Sequence, residues 1–401
     1  MNDPGIPHDA EVPIGALQSS APLGRQAGEL MISSVSAIPL TAHMQEGTRT
    51  SQGAYGAVSI VLVEIRTTDG ITGFGECLAR FGPRAYASFI NEVLAPRLVG
   101  SSAFDIRRHW QQMRMALSGR AGGMLIEALA GVDIALWDVV GKALGQPVHR
   151  LLGGMGRTAV DCYASSINWA SLEKMEEQAE HCVSLGFKAI KVKLGTPVAR
   201  AIESAARVRQ VVGPAIRLGA DANWAYSLDE AVAVGHALHG LDYWFFEEPI
   251  VPEDIAGYAH LRRSVPVMLA AGESDYTVAH AAQLLKDRLV GIIQPDVARA
   301  GGISETRDIA ALAQAFNVAY APHVGWSGAV CAAASLQLAA AMPAFTSFEC
   351  MFIANPLRDA LTTEPVGAAK DLVDGQLAVP RGPGLGIEID WDAVARFRVD
   401  D

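Results

Sequence analysis

One repeating pattern constrains the fold of this chain more than any other feature. After residue 152, short apolar stretches alternate with helical patterns, which predicts eight strands joined by seven helices. The predicted strands cover residues 160–165, 189–193, 217–221, 243–247, 267–271, 291–294, 318–321 and 346–349. A strand–helix repeat of this length favours a closed parallel barrel, a modified TIM barrel of type (β/α)7β. An open doubly wound sheet stays the alternative, because periodicity does not prove closure.

The regions on either side of the predicted barrel have a different sequence pattern. Residues 31–150 start with a β-branched hairpin pattern, 58–67 and 71–77, and continue with helical patterns, which predicts an α+β capping domain. The barrel then occupies residues 151–360, and residues 361–401 form a C-terminal segment that we expect to pack back on the capping domain. Residues 1–30 are rich in Pro, Gly, Ser and Ala and are expected to be a mobile tail.

Seven ionisable residues follow one another at the predicted strand ends. They are Lys193, Asp221, Glu247, Glu273, Asp296, His323 and Glu349. Their spacing of 23 to 28 residues matches one strand–helix unit, and in a parallel barrel the carboxyl ends of the strands share one rim. A helix N-cap or solvent exposure explains one such residue. Seven ionisable residues at successive strand ends would repel one another and lose hydration, unless a bound ligand compensated for these costs.

The middle of this series predicts a metal site. Asp221, Glu247 and Glu273 are hard oxygen donors on three consecutive strands, which suits Mg²⁺ with water and substrate completing an octahedron. Zinc would be expected to draw Cys or His ligands. The alternative is three unrelated carboxylates on the rim.

Two groups that can move protons flank the three carboxylates. Lys191 and Lys193 alternate with apolar residues and so share one face of a strand, as a solvated basic face or as a base whose pKa is lowered by a neighbouring cation. The ionisable series favours the base. On the other flank, Asp296 can fix one imidazole nitrogen of His323 and make the other more basic. Taken alone, His323 would more often be a structural residue.

This arrangement fits the removal of a proton next to a carboxylate. A divalent metal between two bases stabilises an enediolate while the bases act on its two faces. A protonated Glu349 could donate a hydrogen bond to the substrate carboxylate. Arg299 could reach the rim or point into solvent, and solvent is favoured.

From about residue 31 to its end, the chain resembles the enolase superfamily, specifically the mandelate racemase/muconate lactonizing enzyme family. The resemblance rests on Lys-Val-Lys at 191–193, Asp-Ala-Asn at 221–223, Glu-Glu-Pro at 247–249, Ala-Gly-Glu at 271–273, Gln-Pro-Asp at 294–296, Gly301, Gly302, His323 and Glu349. The mandelate racemase subgroup is favoured, because Asp296 and His323 stand where its dyad would. The lactonizing subgroup would have a lysine at the sixth strand end.

The resemblance implies a role for each of these residues. Asp221, Glu247 and Glu273 would bind Mg²⁺, Lys193 would be the base on one face, and His323 held by Asp296 would act on the other. The residues that bind or polarise the substrate carboxylate would be Lys191, Asn223 and Glu349. The capping domain would close over the barrel with two specificity loops near 41–57 and 79–84, and family members are commonly homo-oligomers.

The two predicted loops bear on the substrate. The first is polar and the second cationic, through Gln45, Glu46, Thr48, Arg49, Thr50, Ser51, Gln52, Arg80 and Arg84. Such a lining, with Arg49, Arg80 and Arg84 as candidate substrate ligands, suits a polyhydroxy acid or a diacid better than an aryl acid. We therefore expect dehydration of a sugar acid to a 2-keto-3-deoxy acid. A racemase or epimerase is the alternative, and a non-catalytic ligand-binding protein on the same fold is a remote third.

Composition excludes several other classes. The net charge of −11 and the absence of a basic cluster argue against nucleic-acid binding, and no apolar run of 18 residues predicts a membrane span. The five cysteines are scattered without a C-x-x-C spacing, which is typical of free thiols in a reducing compartment. The expected partner is a small-molecule carboxylate, and the expected location is the cytoplasm.

Overall fold

The computed structural model describes residues 29–117, 122–154 and 156–399, without the side chains of residues 45–48. Nearly all of the expected N-terminal tail therefore lies outside the described residues. The same holds for the side chains of Gln45, Glu46 and Thr48 in the first predicted loop.

The first part of the chain forms a three-stranded antiparallel sheet in the order β1 (Ile32–Thr50), β2 (Gly53–Thr67) and β3 (Thr72–Leu78). Its central strand is buried on both faces, with Ile60 and Leu62 in the barrel-side core and Val61 and Val63 in a second core. This follows from the period of two in a strand. The region 41–57, predicted as a loop, is instead the end of a long β-hairpin that turns at residues 51–52.

Helices cover the outer face of this sheet. They are α1 (Pro83–Phe89), α2 (Ile106–Arg114) and α3 (Met124–Ala143), and the short α4 (Val148–Leu151) follows and packs against α3. The axis of α3 approaches β3 so closely that a Cβ on Gly75 would lie 1.9 Å from the carbonyl oxygen of Gly131. Only glycine permits this approach, which anchors α3 and the residues on it against the sheet.

The following residues form eight parallel strands and seven helices. The strands are β4 (Ala159–Ile167), β5 (Ala189–Lys193), β6 (Arg217–Asp221), β7 (Tyr243–Glu247), β8 (Met268–Ala271), β9 (Ile292–Ile293), β10 (Ala319–Tyr320) and β11 (Phe348–Met351). The helices are α5 (Leu172–Ser184), α6 (Val198–Val212), α7 (Leu228–Gly240), α8 (Ile255–Ser264), α9 (Thr277–Leu285), α10 (Gly302–Ala315) and α11 (Ala329–Ala341).

Hydrogen bonds close this sheet into a barrel. Each strand pairs with the next from β4 to β10, and β11 pairs in parallel with β4. The last gap is bridged at Tyr320, whose N–H donates to the carbonyl of Ala344 (2.8 Å) and whose carbonyl accepts from the N–H of Thr346 (2.9 Å). The predicted (β/α)7β architecture with an N-terminal α+β unit is confirmed over the open sheet.

The C-terminal residues contact both parts of the molecule. They include α12 (Pro356–Asp359), β12 (Gln376–Ala378) and α13 (Trp391–Phe397). Strand β12 pairs antiparallel with β4 of the barrel. Beyond it, Trp391 packs edge-on against Phe74 at 6.0 Å, and the N–H of Val399 donates to the carbonyl of Pro39 at 3.0 Å. The end of the chain thus lies against the first sheet.

Two further findings concern membrane-spanning helices and the cysteines. Within the described residues, no helix combines the length and apolarity that crossing a membrane would require. The five cysteines are free thiols, and all are buried: Cys77, Cys162, Cys182, Cys331 and Cys350.

Candidate metal and proton-transfer site

The structure brings the seven ionisable residues to the carboxyl ends of the barrel strands. Lys193, Asp221 and Glu247 are the last residues of β5, β6 and β7 and are direct register partners. Glu273 lies two residues beyond β8. The last three, Asp296, His323 and Glu349, are placed differently from the prediction: the first two lie three residues past β9 and β10, and Glu349 is the second residue of β11 rather than its last.

The carboxylates of Asp221, Glu247 and Glu273 form a buried cluster. One oxygen from each lies within 4.8 Å of the others, and each residue is at most 3% exposed. Burial, followed by repulsion from Asp221, raises the pKa of Glu247 to about 8. One oxygen of Glu273, Oε2, is buried without a hydrogen-bond partner among the described residues. A divalent cation such as Mg²⁺ fits this cluster, because the three residues offer hard oxygen donors that repel one another. One of these oxygens also lacks a hydrogen-bond donor.

Lys191 lies beneath this cluster as a buried cation. Its Nζ is 2.7 Å from Glu247 Oε1, 2.7 Å from Glu349 Oε1 and 3.5 Å from Asp221 Oδ2. Burial lowers the pKa of Lys191, but these carboxylates, Glu247 first, raise it well above its usual value. At Lys191 the surrounding anions therefore outweigh the neighbouring cation, which agrees with a lysine that stays charged and holds a carboxylate.

Lys193 lies higher on the same strand, in the wall of the cleft. Its Nζ donates to Asp221 Oδ2 at 2.5 Å and to Asn223 Oδ1 at 3.0 Å. The N–H of Asn223 in turn donates to Asp221 Oδ1 at 2.9 Å, and Asn223 adopts a left-handed φ of 44°. Asparagine tolerates this conformation better than most residues, which lets the turn after β6 fold over the carboxylate.

His323 and Asp296 form the predicted dyad. The imidazole Nδ1 is 2.7 Å from Asp296 Oδ2, and Nε2 is 3.4 Å from Glu273 Oε2. Burial lowers the pKa of His323, but Glu273, Glu349 and Asp296 raise it, and their effect prevails. A Cβ on Gly325 would lie 2.8 Å from Nε2, so glycine at that position keeps the reactive nitrogen accessible.

Glu349 is held from three sides. Its oxygens accept from Ser165 Oγ (2.7 Å) and the N–H of Val324 (2.7 Å) and face Lys191. Burial raises the pKa of Glu349, but Lys191 and then His323 lower it more strongly. The structure therefore favours the ionised form, whereas the sequence suggested a protonated donor.

A cleft above the carboxylate cluster contains both proton-transfer groups. Its lining residues are Thr50, Gln52, Tyr55, Arg80, Ser165, Ser166, Lys193, Asn223, Trp224, Glu273, His323, Gly325, Trp326, Glu349 and Met351. The hairpin tip closes over it, since Ser51 Oγ (2.6 Å) and Gln52 Nε2 (3.0 Å) both donate to the carbonyl of Asn223.

Of the three arginines predicted from the loops, only Arg80 lines this cleft. Arg49 lines a separate groove together with Trp169, Lys174 and Phe352. Arg84 is exposed near the start of α1 and is not among the residues of the cleft. The structure therefore does not bring Arg49 and Arg84 to the carboxylate cluster.

Two residues of the site were not recognised from the sequence. Gln294 donates from Nε2 to Glu247 Oε2 at 2.7 Å, and its only signal was its position two residues before Asp296. Arg299, predicted to be solvated, is only 12% exposed in its side chain and donates from Nε to Glu127 Oε1 at 3.0 Å. Glu127 lies on α3, far away in sequence, so no local pattern could indicate this pair.

Comparison with known families gives matches over most of the chain. The N-terminal domain of mandelate racemase/muconate lactonizing enzymes matches residues 35–153, and the enolase C-terminal domain-like family matches residues 174–393.

Individual proteins are similar over nearly their whole length. D-galactarolactone cycloisomerase of Agrobacterium fabrum is 37% identical over 354 residues, which are 85% of this chain and 92% of that protein. Arabinonate dehydratase of Saccharolobus solfataricus is 35% identical, over 83% of this chain and 88% of that protein. The crystal structure of a racemase from Streptomyces coelicolor with bound magnesium superposes with a TM-score of 0.84 at 28% identity, covering 92% of this chain and 100% of that one.

Proposed function

Because the chain belongs to the mandelate racemase/muconate lactonizing enzyme family of the enolase superfamily, we propose that it is a Mg²⁺-dependent dehydratase of a sugar acid. The observation that carries the proposal is the position of Lys193 and His323 on two sides of a buried carboxylate cluster, in one polar cleft. In this arrangement one group can remove a proton α to a bound carboxylate, and the other can donate a proton to the departing hydroxyl.

In this proposal Asp221, Glu247 and Glu273 hold the metal ion. Bound Mg²⁺ supplies positive charge where negative charge develops on the substrate carboxylate. Lys191 stays protonated, orients Glu247 and Glu349, and adds positive charge to the floor of the site.

Lys193 and His323 divide the proton transfers. Lys193 takes the proton from the carbon next to the carboxylate, and His323 donates a proton from Nε2 to the β-hydroxyl as its C–O bond breaks. Water leaves, and the resulting enol tautomerises to the 2-keto-3-deoxy acid. Asp296 holds Nδ1 and so fixes the nitrogen that exchanges the proton.

The lining of the cleft supports a polyhydroxylated substrate. Thr50, Gln52, Ser165 and Ser166 offer hydroxyl and amide groups, and Arg80 offers a cation. One of the relatives is an arabinonate dehydratase, and arabinonate is also a hydroxylated acid.

The second candidate is isomerisation of the same class of acid. It is favoured by the reactive nitrogen of His323, which faces the carboxylate cluster from the side opposite Asp296 and could return a proton to the same carbon. The 37% identical relative is named a cycloisomerase, which is consistent with this outcome.

A panel of sugar acids separates the candidates. We would incubate the protein and Mg²⁺ with aldonic and aldaric acids and measure 2-keto acid formation and epimer content, with His323→Asn as a paired sample. A dehydratase gives a 2-keto acid with at least one substrate, and His323→Asn loses this product. Epimerisation or ring isomerisation without any 2-keto acid would contradict dehydration and favour the second candidate.

The remote third reading, a binding protein, is tested with the same panel in D₂O. A ligand that binds but shows no exchange of its α-proton, no elimination and no epimerisation would support it. Exchange that depends on Lys193 would exclude it.

We also propose that the chain forms a homo-oligomer in the cytoplasm, with residues 31–150 acting as the cap of a barrel formed by residues 151–360. Five buried free thiols are consistent with the compartment. Light scattering on the purified protein would determine the oligomeric state.

A further inference from the structure

Two of the three clustered carboxylates are fixed by hydrogen bonds from the barrel itself. Glu247 accepts from Lys191 on one oxygen and from Gln294 on the other, both at 2.7 Å. Asp221 accepts from Lys193 at 2.5 Å and from the N–H of Asn223 at 2.9 Å. These bonds set the direction of the remaining lone pairs.

Glu273 differs from the other two. Within the described residues it accepts no hydrogen bond, and its buried Oε2 faces only the His323 Nε2, at 3.4 Å, without forming one. Its other oxygen, Oε1, faces two guanidinium groups at the same distance of 3.8 Å, Arg80 Nη2 and Arg299 Nη1. The orientation of this carboxylate therefore depends on cations and not on the barrel backbone.

Of these two arginines, Arg299 is firmly anchored. Its Nε donates to Glu127 Oε1 at 3.0 Å, and its Nη1, which points toward Glu273, is buried without a hydrogen-bond partner among the described residues. Glu127 also accepts from Tyr86 Oη on its second oxygen at 2.6 Å. Tyr86 lies on α1, the helix that begins at Pro83, within the second predicted loop.

We propose that Arg299, anchored by Glu127, is a positioning residue for Glu273, and that Tyr86 connects this anchor to the helix beside the cleft. The inference rests on the proposed metal site. One edge of the guanidinium holds Glu127 and the other lies against Oε1 of Glu273, which directs Oε2 toward the other two carboxylates. The planar guanidinium holds its donors in a fixed geometry on separate edges, which the compact ammonium of a lysine at this position would not provide.

The test is metal affinity measured without substrate. We would titrate Mn²⁺ and Mg²⁺ into the full-length protein by calorimetry and compare Arg299→Lys, which keeps the charge, and Glu127→Gln, which keeps the shape. Each variant should bind the metal about 10- to 100-fold more weakly, the range found when partners of metal ligands are removed. Tyr86→Phe should weaken binding about two- to fivefold.

The combined variant Arg299→Lys/Glu127→Gln should bind the metal about as weakly as either single variant, because the two residues act as one unit. Arg307→Lys is the matched control, since Arg307 lies on α10 paired with Asp308 and has no contact with the carboxylates. The melting temperature of every metal-free variant is measured alongside.

The outcomes are distinct. Metal affinities of Arg299→Lys and Glu127→Gln that equal or exceed that of the unaltered protein would overturn the inference, and so would a lower melting temperature with unchanged affinity, because that result indicates a purely structural pair. If the unaltered protein binds neither ion, the proposed metal site fails, and the inference fails with it for that separate reason.

Discussion

Lys191 and Lys193 are two residues apart and yet have different surroundings. Lys191 is 1% exposed and lies between Glu247 and Glu349, so it is fixed as a cation. Lys193 lines the cleft and contacts Asp221 and Asn223. Only the second lysine can reach a bound substrate, which supports the proposed division into an orienting charge and a base.

Replacement of Lys193 by alanine tests this division. Lys193→Ala should lower kcat by about 10²- to 10⁴-fold, the usual contribution of a general base, while Mn²⁺ still binds. Steady-state kinetics and calorimetric titration measure the two effects. Lys286→Ala, at an exposed position on the outer surface, is the control and should keep full activity. Substantial turnover in Lys193→Ala would show that another group removes the proton.

The sequence predicted which residues meet at the site better than it predicted the charge state of Glu349. A spacing of one strand–helix unit places side chains on one rim whatever their chemistry, so the cluster could be foreseen. The pKa of Lys191 and that of Glu349 depend on which carboxylate contacts which cation, and this depends on side-chain directions. The Arg299–Glu127 pair escaped prediction for the same reason, because its members come from separate parts of the chain.

At the scale of elements, carboxylates from the first part of the chain cap barrel helices. Asp133 on α3 accepts the N–H of Ser304 at 2.9 Å in the first turn of α10. Glu76 on β3 accepts the N–H groups of Gly328 (2.6 Å) and Cys331 (3.0 Å) at the start of α11. Each contact satisfies backbone N–H groups that have no partner within the helix, and each joins the N-terminal α+β unit to the barrel.

Asp133 should make stability depend on pH. Burial raises the pKa of Asp133 from 3.8 to about 7, although hydrogen bonds from Ser304 oppose this. Because the folded-state pKa is the higher one, the stabilisation is present below the unfolded value and is lost as pH rises through the folded value. Between about pH 5 and pH 8 the free energy of unfolding should fall by about 2–3 kcal/mol from this residue. Denaturant unfolding across this range measures the slope.

Asp133→Asn keeps an acceptor for Ser304 and removes the ionisation. The free energy of unfolding of the variant should therefore decline less steeply with pH. At the alkaline end of the range, the variant should be more stable relative to the unaltered protein than at the acidic end. An identical slope in both proteins would show that Asp133 does not titrate in this range.

The hairpin of β1 and β2 shows where element prediction failed. The resemblance implied a loop near 41–57, but backbone pairing continues to Thr50 and Gly53, where Gly53 adopts a φ of 125° at the turn. Polar side chains do not prevent a strand when a partner strand satisfies its backbone. The barrel strands were easier to predict because each is a short, mostly apolar stretch that alternates with a helical pattern at a regular spacing.

At the scale of the whole molecule, repulsion among the three clustered carboxylates lowers the stability of the metal-free folded state. Mg²⁺ that binds only the folded state stabilises it by mass action, by about 2.7 kcal/mol at one hundred times the dissociation constant. Glu247→Gln removes one of the three carboxylates. We therefore expect added Mg²⁺ to raise the melting temperature of the unaltered protein and of Glu203→Gln, an exposed control on α6, but not that of Glu247→Gln.

Scanning calorimetry also shows whether this stabilisation reaches the whole chain. The N-terminal α+β unit supplies Glu76 and Asp133 as helix caps and Arg80 to the cleft. The tip of its β1–β2 hairpin donates two hydrogen bonds to the carbonyl of Asn223. With so many contacts shared, the unit and the barrel should unfold in one transition that Mg²⁺ shifts as a whole. Two transitions of which Mg²⁺ shifts only one would contradict this coupling. An equal shift in Glu247→Gln would show that the ion acts elsewhere than at the three carboxylates.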